Sequence, residues 1–334
     1  MSKILIFLIF FSTLCLINAE ISQTNVTKTA IKRKSLIPLL YDSTLNNINV
    51  TKVANCEWLR GYKHQRQQCL VRKGLEKVLI ATRKLIISIC QQSFKYDTWN
   101  CTYSKNQFKK INRETAFLQS LSAAGLMFTV TEACLNKKLQ RCKCDESKEY
   151  FIKVPDYKNF SGCQDNTKTG KVLTKNFLMA QYSGKKATTA NLNVKFGIKV
   201  VMESVKIHCR CSTSVFSCKN ICEKRLQPFS NIMEKLKLAY HNAIKLKTKH
   251  LTSGSKYKLP KDRLLYLSDS STFCNSTAGR RCLDAENCAT LCCGRGFNSR
   301  TITVRKKCKY RLGECCYKIT HEICTQQEFI YECK

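Results

Sequence analysis

The sequence predicts an α+β fold, disulfide-rich and in two domains: a helical N-terminal domain, then a small cystine-rich β-hairpin domain. Three observations carry this. Apolar residues recur at helical spacing between residues 69 and 244. The chain holds 23 cysteines in 334 residues. Residues 271–334 contain ten of them, show little helical period and carry short β-prone runs such as Thr301-Ile302-Thr303-Val304.

The chain begins MSKILIFLIFFSTLCLINAE. Lys3, the apolar run Ile4–Ile17 and the small Ala19 have the pattern of a secretory signal peptide, residues 1–19. The alternative is a membrane anchor, which needs about 20 apolar residues, more than this run supplies. No later stretch reads as spanning a bilayer, so the expected product is secreted, into the extracellular space and matrix. Residues 20–55 are polar, Thr/Asn/Lys-rich and aperiodic, which reads as a mobile arm.

Residues 56–244 form the helical domain. In CLVRKGLEKVLIATRKLIISIC, Val71, Leu75, Val78, Leu79, Ile86 and Ile89 share one face, while Arg72, Lys73, Lys77, Arg83 and Lys84 take the other. The run 114–134, ETAFLQSLSAAGLMFTVTEAC, is nearly uncharged and rich in small residues, which predicts a central buried helix with close neighbours. Val194, Ile198, Val201, Met202 and Val205 make another stripe, and Phe229, Ile232, Met233, Leu236, Ala239 and Ala243 a third. Both read as core. Residues 245–270 turn polar and basic, with Gly254 and Pro260, and read as a linker. In residues 271–334 so few apolar residues would not hold a fold without bridges.

Cys15 falls in the signal, which leaves 22 cysteines. An even number in an exported chain points to a disulfide framework. Cys142-Lys143-Cys144 and Cys209-Arg210-Cys211 fit poorly with the C-x2–4-C spacing of zinc sites, so no metal and no cofactor is expected. Five sequons nominate Asn25, Asn49, Asn100, Asn159 and Asn275 for glycosylation. Lys and Arg number 58 against 23 acids, a net charge of +35. Inside a cell that would suggest nucleic acid. For an exported chain the matching polyanion is a sulfated glycan such as heparan sulfate, and no nucleic acid partner is expected. A solvated basic surface with no particular partner is the plainer alternative. No Ser-His-Asp set, acid pair or metal triad stands out, so no catalytic residue is nominated and an enzyme is not expected.

The stretch HCRCSTSVFSC (208–218) could be a metal knuckle, a disulfide-pinned hairpin or a reactive site. Its neighbours narrow the choice. CQQSFKYDTWNCT (90–102), RETAFLQSLSAAGLMFTVTEAC (113–134), LQRCKCDES (139–147), HCRCSTSVFSC with Cys222, TFCNSTAGRRC followed by CATLCCGRGFN (272–298), the Cys315-Cys316 pair and Cys333 occur in one order. In that order the chain resembles the Wnt family over roughly residues 56–334.

The resemblance implies a fold in which the helical domain carries a thumb hairpin, 209–222 here, and the cystine-rich domain forms an index finger. It implies a secreted developmental ligand whose two tips grip the cysteine-rich domain of a Frizzled-type receptor. A lipoprotein-receptor-related co-receptor belongs to the same picture. So do a Porcupine-type acyltransferase that esterifies a thumb serine and a Wntless-type carrier that exports the product. The implied disulfides are Cys56–Cys69, Cys90–Cys101, Cys134–Cys142, Cys144–Cys163, Cys209–Cys222 and Cys211–Cys218. In the second domain they are Cys274–Cys293, Cys282–Cys288, Cys292–Cys333, Cys308–Cys324 and Cys315–Cys316.

The chain departs from the family at both tips. The acyl-acceptor serine falls on Val215, which has no hydroxyl, and the nearest candidate is Ser214. Either acylation has moved to Ser214, or Val215 and Phe216 form a smaller apolar tip, or receptor signalling is lost. At the finger, Leu312, Gly313 and Glu314 replace the family's aromatic tip, which leaves less apolar area for receptor contact. Tyr310 and Thr320 stand where the family has two mutually paired cysteines. An unlipidated, heparan-binding matrix protein or antagonist on the same scaffold is the alternative function.

Overall fold

The computed structural model describes residues 33–45, 56–103, 107–142, 167–181, 184–214, 217–247, 259–312 and 318–334, with the backbone alone between 207 and 224. Its helices are α1 (Ile37–Leu40), α2 (Lys63–Val71), α3 (Leu75–Ser93), α4 (Arg113–Leu135), α5 (Thr167–Leu178), α6 (Lys185–Glu203), α7 (Phe229–His241) and α8 (Ala285–Leu291). Two antiparallel hairpins, β1 (Val205–Ser214) with β2 (Ser217–Leu226) and β5 (Phe297–Leu312) with β6 (Ile319–Cys333), flank a short parallel pair, β3 (Ile244–Lys245) with β4 (Leu265–Tyr266).

Helix α4 is the centre of the helical part. The Asn112 side chain caps it, accepting a 2.8 Å bond from the Thr115 amide, and Glu114 sits in its first turn. Its small residues let neighbours approach. A Cβ on Gly125 would lie 2.2 Å from Ile86 Cγ2, and one on Gly197 of α6 would lie 2.2 Å from the Ser120 carbonyl oxygen. By length and hydropathy α4 could cross a bilayer, unlike the sequence reading, but 78% of its most apolar stretch is buried inside the protein. It is a core helix.

Other elements differ from the sequence reading. The helix expected to run on from Cys69 breaks at Gly74 (φ +95°), where a Cβ would meet the Lys138 carbonyl oxygen at 2.1 Å. Backbone crowding, invisible in the periodicity, splits α2 from α3. Val71, at the end of α2, is exposed, while Arg83 shares the buried face of α3 with Leu79 and Ile86 and donates to the Leu40 carbonyl. Residues 34–45, read as part of a mobile arm, are packed. Leu36, Ile37, Leu40 and Tyr41 are buried, the Leu36 amide donates to Phe177 (3.0 Å), and the Tyr41 hydroxyl donates to the Leu118 carbonyl (3.3 Å). The apolar cluster Leu-Ile-Pro-Leu-Leu-Tyr outweighs the polar average of the segment.

In α6, Val194, Ile198 and Val201 are buried, but Met202 is exposed and Val205 begins β1. The α7 stripe is buried at Phe229, Ile232, Met233 and Leu236, with Ala239 and Ala243 packed beside it.

Residues 34–334 fall in one compact unit, and both described ends of the segment 245–270 are packed. Leu246, Leu264 and Leu265 are buried, and the Asn193 side chain clamps the Leu265 backbone with two 2.9 Å bonds. A polar average again hid a few apolar residues at the ends of the segment. The described disulfides are Cys56–Cys69, Cys90–Cys101 and Cys134–Cys142 in the helical part. Near the C-terminus they are Cys274–Cys293, Cys282–Cys288, Cys292–Cys333 and Cys308–Cys324. Cys144, Cys163, Cys315 and Cys316 lie outside the described residues, as do the side chains of Cys209, Cys211, Cys218 and Cys222.

Candidate functional site: the ends of two hairpins

The first hairpin grows out of the core. Helix α6 passes into β1 through the buried Ser204, whose hydroxyl donates to Val201 O (2.7 Å) and whose carbonyl accepts the Gln227 amide (3.2 Å). That closes the base. The ladder then runs from Val205↔Leu226 to Ser214↔Ser217, longer at each end than the 209–222 read from the sequence. Cys209 stands opposite Cys222, and Cys211 stands one diagonal step from Cys218 on the same side of the pleat. Ser214 and Ser217 form the last backbone pair. Val215 and Phe216 join them and lie outside the described residues.

The second hairpin is held at its base by bridges and one arginine. Cys282, Cys292 and Cys333 bring their sulfurs within 4.8 Å of one another, but each is in a disulfide, which leaves no thiolate for a metal. Arg280 donates to three carbonyls of the loop between Cys90 and Cys101: Thr98 (2.9 Å), Lys95 (2.8 Å) and Asp97 (2.8 Å). Asn287 adds a 3.0 Å bond to Tyr96 O. Burial lowers the Arg280 pKa and Asp97 opposes that shift.

Toward its end the ribbon bulges at one of the two positions where the family carries cysteines and keeps its ladder at the other. Lys309 (φ +47°) and Tyr310 bulge opposite His321, and the Tyr310 and His321 rings lie 5.9 Å apart. Thr320 pairs with Arg311 and donates to its carbonyl at 3.3 Å. Leu312, paired with Ile319, is 72% exposed. Gly313 and Glu314 lie outside the described residues.

A junction that the sequence reading missed joins α4 and α7 to β4 and the segment that follows it. Glu114 is buried, accepts from the Tyr240 hydroxyl (2.9 Å) and from Ser270, and faces a cleft of about 400 Å³. Arg113 lies over the rings of Tyr240 and Tyr266, at 5.8 and 5.7 Å. Burial, then Glu114, push the Tyr240 pKa up. The one available signal was an acid at the head of an otherwise apolar helix. Among the sequons, Asn275 is exposed and Asn100 is half-buried, while Asn25, Asn49 and Asn159 lie outside the described residues.

A helical body braced by disulfides, with two long hairpins fixed at their bases, defines the class: an α+β, cystine-rich protein that displays loop ends. The wnt family pattern matches residues 58–334, and the chain belongs to the Wnt family. It is 31% identical to Wnt-4 of Drosophila melanogaster over 303 residues, 84% of this chain. That match spans only 56% of the fly protein's length. It is 30% identical to Wnt-9a of Gallus gallus over 311 residues, 84% of this chain and 86% of that protein. Among solved structures, human WLS in complex with WNT8A aligns with a TM-score of 0.58 and 26% identity, over 78% of this chain and 93% of that one.

Proposed function

We propose that the chain is a secreted Wnt-type signalling ligand that grips the cysteine-rich domain of a Frizzled-type receptor with its two hairpin ends. The observation that carries the reading is the pair of long antiparallel hairpins, each anchored at its base and ending at the residues nominated for contact: Val215 and Phe216 on one, Leu312, Gly313 and Glu314 on the other. A rigid ribbon brings its tip to a receptor at little ordering cost. Each methylene buried there contributes about 0.8 kcal/mol, so an acyl chain on the first tip would dominate the contact.

Val215 cannot form an ester, and Ser214, the last paired residue of β1, is the nearest hydroxyl. The route out of the cell follows from that lipid: a Porcupine-type acyltransferase adds it and a Wntless-type carrier exports the product. The net charge of +35 favours retention on heparan sulfate. The test is mass spectrometry of the peptide spanning Cys209–Cys222 from secreted protein, with binding to a Frizzled-type cysteine-rich domain measured beside it. An acyl mass on Ser214 with receptor binding supports the reading. A bare peptide from an efficiently secreted chain that does not bind the domain overturns it.

A further inference from the structure

The antiparallel register sorts the β5–β6 ribbon into two chemically opposite faces. On one face Arg300 meets Glu332 (3.1 Å), Lys306 pairs with Glu328, and Lys309 and Arg311 reach Glu322 (3.1 and 3.6 Å). All the acids of the two strands lie there, around the Cys308–Cys324 bond. The other face has no acidic residue among the described residues. It exposes Phe329 and Ile323 (both 69%), with Ile319 (63%) toward the tip, and Arg305 and Lys307 stand exposed between them. Its middle is neutral and polar: Thr301, Thr303, Thr325 and Gln327.

We propose that this flank, from Phe329 to Ile323, is an interaction surface separate from the hairpin's end, and that its partner is an acidic extracellular protein surface with apolar pockets. Large apolar side chains exposed at both ends of one face, Phe329 at one and Ile323 at the other, mark a surface that another molecule covers. The charge pattern decides which. A second copy laid face to face would set Arg305 and Lys307 against themselves. A sulfated glycan would answer the cations but offer nothing to Phe329 and Ile323. A lipid surface would bury the threonine hydroxyls and the Gln327 amide among acyl chains without partners. An acidic protein surface answers all three features, with carboxylates for the cations, pockets for the apolar side chains and hydrogen-bonding groups for the middle.

The inference rests on the reading of the chain as an exported receptor ligand. The experiment uses the full secreted chain as wild type, as R305E/K307E and as I323T/F329T, each checked for an intact Cys308–Cys324 bond. Each is presented to immobilised ectodomains of a Frizzled-type receptor and of a lipoprotein-receptor-related co-receptor, to heparin and to phosphatidylserine vesicles, with light scattering for self-association. The expected result is wild-type binding to at least one ectodomain, weakened tenfold or more by both variants, while I323T/F329T keeps its heparin retention. Ectodomain binding that neither variant alters overturns this inference alone, as does an effect confined to heparin, vesicles or a dimer. Wild-type binding to neither ectodomain overturns the ligand reading, and the inference with it.

Discussion

Arg280→Ala tests how the base of the second hairpin is fixed. The guanidinium makes three bonds of 2.8–2.9 Å to the carbonyls of Lys95, Asp97 and Thr98. Bonds from a charged donor are worth roughly 1.5–3 kcal/mol each when enclosed; at a half-buried side chain about 1 kcal/mol each is the reasonable figure, or about 3 kcal/mol for the set. For a protein of this size each kcal/mol moves the melting temperature by about 2 °C, so the expected drop is about 6 °C. Arg280→Lys keeps the charge but not the fork, and should lose about half as much. The assay is calorimetry of the secreted chain with its disulfides intact, together with amide exchange of residues 94–98, which should quicken in the alanine variant. A drop under about 1 °C, with unchanged exchange, would refute the assignment of Arg280 as the tie. Asn287 would then carry the junction through Tyr96.

Three further outcomes follow from the same structure. Gly197→Val forces a Cβ to within 2.2 Å of the Ser120 carbonyl oxygen, which is backbone and cannot swing away; a loss of about 3 kcal/mol or more, or failure to secrete, is expected, and near wild-type melting would contradict the α4–α6 packing. Tyr41 and Tyr240 both have raised pKa values, chiefly from burial. Above pH ~10 the unfolded chain releases those protons and the folded chain keeps them, so stability falls with rising pH, by about 1.4 kcal/mol per unit for each tyrosine. Tyr41→Phe should therefore lose less stability between pH 10 and 11 than wild type, as read by urea unfolding, and equal losses would contradict the burial argument. Val215→Ser restores a hydroxyl at the family's acceptor position; a new acyl mass at residue 215 in co-expression with a Porcupine-type acyltransferase is expected, and a bare serine would mean that the tip is not presented as an acceptor.

The sequence by itself determined the elements whose physics is local. The run 114–134 reads as a buried helix because it lacks charge and bulk, and α4 is that helix. The α7 stripe also falls where periodicity puts it. The order of the cysteines points to the family before any coordinate does. Tertiary structure decided what depends on distant partners. Gly74, between α2 and α3, is crossed by the Lys138 backbone, and residues 34–45 are held by bonds to Leu118 and Phe177. Arg280 and Glu114 look like ordinary surface charges in the sequence, yet their partners lie more than a hundred residues away. The two faces of the β5–β6 ribbon follow from register, and register joins residues whose separation in the chain carries no period to read.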